Sequence, residues 1–229
     1  MTPRNVFITG GTGYIGRRLI PRLLENGHRV RALARPGSEG RLIAGCEAVI
    51  GNALDASTFA DRVAPSDTFV QLVGVPHPSP SRAAEFQSID LASARASVSA
   101  AAGAGVNHFI YISVAQPAPV MKAYQEVRAE GERMIRDSGM NATILRPWYV
   151  LGPGHRWPYA LIPMYWLLEH IPSTRETAKR LGLVTLDQMV RAIAASVDTG
   201  PNGLKILEVS SIRKASSQSQ SVEARATAR

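Results

Sequence analysis

Short apolar runs alternate along the first 150 residues with longer segments in which apolar residues recur at helical spacing. The apolar runs predict strands at Asn5–Thr9, Arg29–Ala34, Ala48–Ile50, Thr68–Val73, Asn107–Ser113 and Ala142–Leu145. The intervening segments predict helices at Tyr14–Asn26, Ser57–Val63, Arg82–Gly103 and Ala123–Ser138. Strands that alternate with helices in this way favour right-handed crossovers and a parallel sheet. The pattern therefore predicts an α/β fold built on a doubly wound parallel sheet.

The alternation fades after residue 150. The apolar segment Tyr159–His170 is helical in its spacing but is interrupted by Pro163. An amphipathic helix is predicted over Leu186–Val197, and a last strand is predicted over Lys205–Val209. This part of the chain is therefore expected to form a smaller, less regular lobe beside the sheet.

The expected organisation is one domain over residues 1–212, with a core at 1–150 and a small C-terminal lobe within 151–212. The length of the chain suits one domain with a large core. From Ser210 onward small and polar residues dominate, so we expect disorder there and a basic tail at 213–229.

The formal net charge of +8 raises the question of a nucleic-acid partner. The basic residues are scattered, and no aromatic residues interleave with them as stacking platforms, so we expect no nucleic-acid partner. The same charge attracts anionic small molecules, including a phosphorylated cofactor. The uncharged stretch from Ala96 to Met121 contains polar residues and prolines, so no membrane span is expected.

The single cysteine, Cys46, excludes an intrachain disulfide and suits a reducing cytoplasm. No leader pattern precedes the first predicted strand, and we therefore expect a cytoplasmic protein. No metal site is expected either, because the histidines lack ligand-like spacing and the cysteine has no partner. The histidines are at positions 28, 77, 108, 155 and 170.

A glycine-rich turn joins the first predicted strand to the first predicted helix. Gly10 permits a tight turn, Gly13 lets the backbone approach a ligand, and Gly16 lets the helix pack close to the strand. Unpaired N–H groups at the positive end of the helix would then face the phosphates of a dinucleotide. This arrangement predicts a Rossmann-like dinucleotide site. Its residues are Gly10, Gly11, Thr12, Gly13, Tyr14, Ile15 and Gly16.

The second predicted strand ends without the carboxylate that would hold the ribose hydroxyls of NAD. Arg35 lies 19 positions after Gly16 and would grip a 2′-phosphate through charge-assisted contacts. NADP(H) is therefore favoured over NAD(H) as the cofactor. The alternative is that Arg35 is a solvated surface residue.

Two further strand ends are expected to contact the cofactor. Asn52 and Ala53 follow the third strand, where Asn52 either donates to the adenine ring or caps the turn. Leu72, Val73 and Gly74 end the fourth strand, where a small residue would let the backbone lie against the cofactor.

Several motifs together resemble the short-chain dehydrogenase/reductase superfamily, in its extended and atypical branches of epimerase-like and NmrA-like NAD(P)-binding proteins. They are the glycine turn, the strand end Ile112-Ser113, Tyr124 with a basic residue four positions later, and the segment Leu145–Gly154. The resemblance covers roughly residues 4 to 210. It implies that Pro147 lines the nicotinamide end of the cleft and that the substrate lobe begins near His155 and Trp157.

In this family a serine, a tyrosine and a lysine four residues after the tyrosine perform the chemistry. By resemblance, Ser113 hydrogen-bonds the substrate oxygen and Tyr124 gives or takes the proton there. Position 128 is Arg instead of Lys. Arg128 can supply charge and ribose contacts, but it is never deprotonated and so cannot join a proton relay. Lys122 is a poor substitute, because it precedes the first turn of the predicted helix.

Two functional hypotheses follow from the resemblance. The first is an NADP(H)-dependent oxidoreductase that transfers a hydride to a small apolar carbonyl compound or quinone, since the residues of the predicted lobe are mostly apolar. The second is an NADP(H)-binding redox sensor or accessory subunit without catalysis, which the Arg at position 128 favours. The resemblance also implies a homodimer formed through the helices Arg82–Gly103 and Ala123–Ser138, but no single residue in the sequence establishes this oligomeric state.

Overall fold

The computed structural model describes residues 2–153 and 180–215. Its main sheet has seven strands, every neighbouring pair of which is parallel. The described strands are β1 (Asn5–Thr9), β2 (Arg29–Ala34), β3 (Glu47–Ile50), β4 (Thr68–Gln71), β5 (His108–Ile112), β6 (Asn141–Arg146), β7 (Tyr149–Leu151), β8 (Leu183–Thr185) and β9 (Leu204–Glu208). The order in the main sheet is β3-β2-β1-β4-β5-β6-β9, so the winding reverses between β1 and β4. The predicted doubly wound parallel sheet is confirmed.

Helices cover both faces of the main sheet. The described α-helices are α1 (Gly16–Glu25), α2 (Ala83–Glu85), α3 (Ala92–Gly103), α4 (Lys122–Asp137) and α5 (Leu186–Thr199). Side chains of β1 alternate between the layers, so Val6 and Ile8 pack with α1 and α5 while Phe7 packs with α3 and α4. No helix within residues 2–153 and 180–215 is both long and apolar enough to cross a membrane.

The helix predicted over Ser57–Val63 is wrong. The segment forms two separate 3-10 turns, Ala56–Thr58 and Ala60–Arg62. The reason is local competition for the backbone: the Asp55 carboxylate accepts from the Ser57 amide at 3.0 Å, and the Thr58 hydroxyl donates to the Asp55 carbonyl at 2.8 Å.

The long helix predicted over Arg82–Gly103 is irregular in its first half. A 3-10 turn, Pro80–Arg82, leads through α2 into a π-helical turn, Phe86–Leu91, before α3 begins. A π-helical turn rotates the side chains that follow it relative to a regular helix, and such turns are frequent at functional sites. The turn carries Asp90, which is fully buried.

The C-terminal part departs from the prediction in two ways. Strands β7 and β8 pair in parallel as a small second sheet that the short apolar runs did not reveal. Residues 209–215 are helical, and both Val209 and Ile212 are fully buried, so the disorder predicted from Ser210 is wrong as far as residue 215. The segment 154–179, which holds Gly154, His155, Trp157 and Tyr159–His170, and the rest of the tail lie outside the described residues.

A buried histidine makes the stability of the fold depend on pH. His108 on β5 is 1% exposed, and its Nε2 hydrogen-bonds Thr143 Oγ1 at 2.9 Å. Burial, helped by the charge of Arg4, lowers the pKa of His108 from 6.5 to about 4. Between these two values the unfolded chain binds a proton that the folded protein does not bind, so lowering the pH favours unfolding.

We therefore expect the free energy of unfolding to fall by up to about 3 kcal/mol as the pH is lowered from about 6.5 to 4. The variant His108→Gln keeps a group that can hydrogen-bond Thr143 but does not titrate, so its loss over this range should be smaller by that amount. Urea unfolding of both proteins across the pH range measures the difference. Equal pH slopes would show that His108 is not the group responsible.

Candidate active site

The glycine turn lies at the point where the strand order reverses. Gly10 follows β1 with a φ of +79°, and a Cβ on it would lie 2.9 Å from the carbonyl carbon of Leu72, which follows β4. The two loops therefore touch, and only glycine fits between them. In doubly wound sheets this edge, at the carboxyl ends of the strands, is where ligands bind.

The start of α1 fits a diphosphate. A Cβ on Gly16 would lie 2.5 Å from the Gly10 carbonyl oxygen and 2.6 Å from that of Gly11, so the helix packs directly on the turn. Gly13 is exposed, and a Cβ there would meet only the Gly10 carbonyl oxygen, at 3.1 Å. Among the described residues no side chain caps α1, and its first turn has no acidic residue. The positive helix end is thus open to an anion.

Tyr14 and Ile15 contribute to the turn mainly through their backbone. Both side chains pack against the core cluster on the α1 face of the sheet. The Tyr14 ring lies 5.6 Å from the Arg18 guanidinium carbon, and its oxygen fills the place that a Cβ on Gly152 would take. The side chain of Thr12 is partly exposed.

Arg35 lies at the carboxyl end of β2 and is exposed. No carboxylate among the described residues pairs with its guanidinium, so the group is available to an anionic ligand. The loop that follows folds back towards the glycine turn, because Leu42 Cδ2 would be 3.3 Å from a Cβ on Gly11. An exposed arginine therefore follows β2 at the carboxyl edge of the sheet.

Asn52 caps its turn: its Oδ1 accepts from the Leu54 amide at 3.1 Å. Its side-chain nitrogen has no partner within the described part of the chain, so the cap still leaves a donor for a ligand. Ala53 beside it is partly exposed.

The loop after β4 holds Leu72, Val73 and Gly74, all of them partly exposed. Gly74 has a second reason to be glycine, because a Cβ there would overlap the Arg128 guanidinium and lie 2.9 Å from Asp90 Oδ1. Pro147, after β6, is buried, and its carbonyl accepts from the Ala115 amide at 2.9 Å. This bond ties the segment after β5 to the segment after β6.

Tyr124 and Arg128 are brought together, as their spacing on one helix predicts. The Arg128 guanidinium carbon lies 5.1 Å from the centre of the Tyr124 ring. Tyr124 also packs on Phe86, with ring centres 4.9 Å apart, and belongs to an apolar cluster with Val75 and Met121. The phenol therefore lies in an apolar wall next to a cation.

Arg128 is 5% exposed and binds protein groups at its tip. Its Nη2 donates to Asp90 Oδ1 at 2.5 Å, and its Nη1 donates to the Ile112 carbonyl at 3.0 Å. Burial acts against the charge, but Tyr124, Tyr111 and Asp90 outweigh it and raise the pKa of Arg128. Burial raises the pKa of Asp90, against the opposing effects of Arg128 and of the Val75 amide.

Ser113 is 3% exposed, and its hydroxyl donates to Glu132 Oε1 at 2.6 Å. Glu132 also accepts from Gln116 at 2.9 Å and from Arg146 Nε at 2.8 Å. The Ser113 proton is thus engaged by Glu132, whereas the cation beside Tyr124 is engaged by Asp90.

Asp90 and Glu132 are the residues of this region that the sequence did not single out. Asp90 is the only acidic residue between Phe86 and Gln125, in an otherwise apolar and small-residue stretch. A lone carboxylate in such a segment is a signal of a buried partner. Glu132 gave no comparable signal, because α4 carries several other charged residues.

A family model described as NAD(P)H-binding matches residues 10–156, from the glycine turn to just beyond β7. The chain belongs to this NAD(P)H-binding family. The ceramide reductase of Caulobacter vibrioides is 27% identical over 212 residues, which are 91% of this chain and 65% of that protein. The chain thus spans slightly less than two thirds of the length of that relative.

Solved structures of two enzymes share the fold of this chain. The enzyme WbmH of Bordetella bronchiseptica, in complex with NAD+, has a TM-score of 0.67 at 21% identity and covers 90% of this chain and 76% of its own. A UDP-galactose 4-epimerase has a TM-score of 0.66 at 18% identity, with 89% and 76% covered. The predicted Rossmann-like fold is confirmed, and the family model confirms the predicted NAD(P)-binding domain.

Proposed function

We propose that this protein is an NADPH-dependent reductase of a small apolar carbonyl compound or quinone. The observation that carries the proposal is the position of Tyr124, whose phenol lies over the Arg128 guanidinium at 5.1 Å within an apolar wall. NADPH, when bound, would supply the hydride that reduces the carbonyl carbon, and the glycine turn and Arg35 would hold it. Tyr124 holds a proton at Oη and releases it to the carbonyl oxygen, and solvent then returns a proton to the phenolate.

The apolar surroundings of Tyr124 support the substrate class. Phe86 packs on the Tyr124 ring, and Val75 and Met121 belong to the same apolar cluster, so none of the three offers a charged contact to a sugar nucleotide. The relative from Caulobacter vibrioides is named for the reduction of ceramide, which is a lipid. In this proposal Ser113 holds Glu132 and leaves donation to the substrate oxygen to Tyr124.

The test is NADPH oxidation, followed by absorbance, with a panel of quinones and apolar aldehydes. Tyr124→Phe should lower turnover by about 10²–10⁴-fold, because the proton donor is removed, and should leave NADPH binding unchanged. Turnover that survives in Tyr124→Phe would contradict the role of Tyr124. Wild-type protein that binds NADPH but oxidises it with no substrate of the panel would contradict the reductase.

Arg35 carries the proposed preference for NADPH. Arg35→Gln should weaken NADPH binding by about tenfold or more and leave NADH binding unchanged, because only NADPH presents a 2′-phosphate. Arg29→Gln is the matched control, since Arg29 is exposed at the opposite end of β2. Calorimetric titration of both cofactors measures the effect. An equal loss for NADH and NADPH would show that Arg35 does not read the 2′-phosphate.

A redox sensor without catalysis is the second candidate, favoured by one observation. The Arg128 tip is held by Asp90 and the Ile112 carbonyl, so the residue at the family's lysine position is engaged by the protein itself. Tight NADPH binding without turnover in the assay above is the outcome that supports this candidate.

A further inference from the structure

Asp90 connects two elements of the cleft through its two carboxylate oxygens. Oδ1 accepts from Arg128 Nη2 at 2.5 Å, and Oδ2 accepts from the Val75 amide at 3.0 Å. The residue is fully buried, on the π-helical turn that interrupts the helix before α3. A buried carboxylate with two such partners is held in one geometry.

The Val75 contact fixes the loop after β4. This loop begins at Leu72, which touches the glycine turn, and Gln71 supports it by donating to the Val73 carbonyl at 3.0 Å and to Ser93 Oγ at 3.0 Å. Asp90 and Ser93 are three residues apart, so the same side of this segment supports the loop at Val75 directly and at Val73 through Gln71. The position of the loop against a cofactor on the glycine turn therefore depends on Asp90.

The Arg128 contact fixes the other side of the cleft. Arg128 Nη1 donates to the Ile112 carbonyl at 3.0 Å and contacts Tyr111 Oη at 3.4 Å, while the guanidinium lies against the Tyr124 ring. Every terminal nitrogen of Arg128 therefore has a protein acceptor. A lysine, with one nitrogen, cannot span these acceptors in the same way.

We infer that Asp90 is a positioning residue, which acts through Arg128 and Val75 to set the distance between Tyr124 and the cofactor loop. In this arrangement Arg128, on α4, links β5 to the π-helical turn through its hydrogen bonds with Ile112 and Asp90. It does not bind the cofactor ribose. The inference rests on the proposed function for its effect on turnover, and on the NAD(P)H-binding site alone for its effect on affinity.

The test uses the full chain and the variants Asp90→Asn, Arg128→Met and the double variant. Each single variant should lower kcat on the order of tenfold or more, with little change in the KM of the substrate, because geometry is lost rather than substrate contacts. Each should also weaken NADPH binding. The double variant should lose no more kcat or NADPH affinity than the more affected single variant, because both substitutions break the same Asp90–Arg128 pair. The control for a general loss of stability is Asp198→Asn. It removes the charge of the carboxylate that contacts His28 Nε2 at 2.8 Å, just before β2 begins and so away from the carboxyl edge of the sheet.

Arg128→Lys distinguishes a structural role of Arg128, in which it links protein groups, from a direct contact with the cofactor. It restores the residue that the family uses, and we expect it to lower kcat and NADPH affinity as Asp90→Asn does. A rise of kcat above wild type, or a loss of NADPH affinity in Arg128→Met but not in Asp90→Asn, would overturn the inference. So would variants that lower the melting temperature as Asp198→Asn does but keep wild-type kcat and affinity. If the wild type shows no turnover, the reductase proposal fails, and the NADPH affinities of the same variants still decide the role of Asp90.

Discussion

Gly16→Ala is expected to weaken NAD(P)H binding strongly. The added Cβ would lie 2.5 Å from the Gly10 carbonyl oxygen and 2.6 Å from the Gly11 carbonyl oxygen, so α1 must move away from the turn. The amides that would face the phosphates of a bound cofactor move with it. We expect a loss of affinity on the order of 100-fold or more, equivalent to about 2.8 kcal/mol. Overpacking should also lower the free energy of unfolding by about 1–3 kcal/mol.

Two other alanine variants separate the loss of binding from the loss of stability. Gly13→Ala adds a Cβ with one neighbour, the Gly10 carbonyl oxygen at 3.1 Å. This Cβ lies on the exposed side of the turn, where the phosphates would approach, so the variant should weaken binding with little effect on stability. Gly103→Ala, at the end of α3, meets nothing within 4 Å and should change neither. Fluorescence titration with NADPH and thermal unfolding measure both effects. Wild-type affinity in both Gly13→Ala and Gly16→Ala would refute the site.

Removal of the Glu132 carboxylate is expected to have the largest effect on stability. Glu132 is 1% exposed and accepts from Ser113, Gln116 and both Arg146 and Arg136. Glu132→Ala leaves Ser113 and Gln116 without this acceptor and Arg146 with Glu208 as its remaining carboxylate, which should lower the free energy of unfolding by about 3–5 kcal/mol. The melting temperature should fall on the order of 10 °C, as measured by thermal unfolding.

Glu126→Ala is the matched control, because Glu126 is an exposed carboxylate on the same helix and should cost less than about 0.5 kcal/mol. The effect of Glu132 also has a predicted pH dependence. Burial opposes its charge, but the hydrogen bonds from Arg146 and Ser113 prevail and lower the pKa of Glu132 below 4.5. Its stabilisation is therefore complete above about 4.5 and is lost as the pH falls through the lower, folded value. Equal melting temperatures for the two alanine variants would contradict this account.

The periodicity of apolar residues along the chain was sufficient to predict most strands of the main sheet. Strand β2 has the predicted bounds, Arg29–Ala34, and β1 has the predicted bounds, Asn5–Thr9. It failed at Ser57–Val63, where Asp55 and Thr58 hydrogen-bond the backbone and break the helix into two turns. It also failed at β7 and β8, because strands of three residues are too short to show alternation.

By itself, the sequence determined the parallel sheet, the glycine turn and the pairing of Tyr124 with Arg128. The glycine turn and the Tyr124–Arg128 pair depend on neighbours within a few positions, and the parallel sheet follows from the alternation of strands and helices along the chain. Only the tertiary structure decided which buried partners the residues of the candidate site contact. Asp90 meets Val75 across 15 positions and Arg128 across 38, and Ser113 meets Glu132 across 19. A buried charge takes whichever partner the fold brings within reach, and no local pattern encodes that choice, because folding alone sets which distant segments meet.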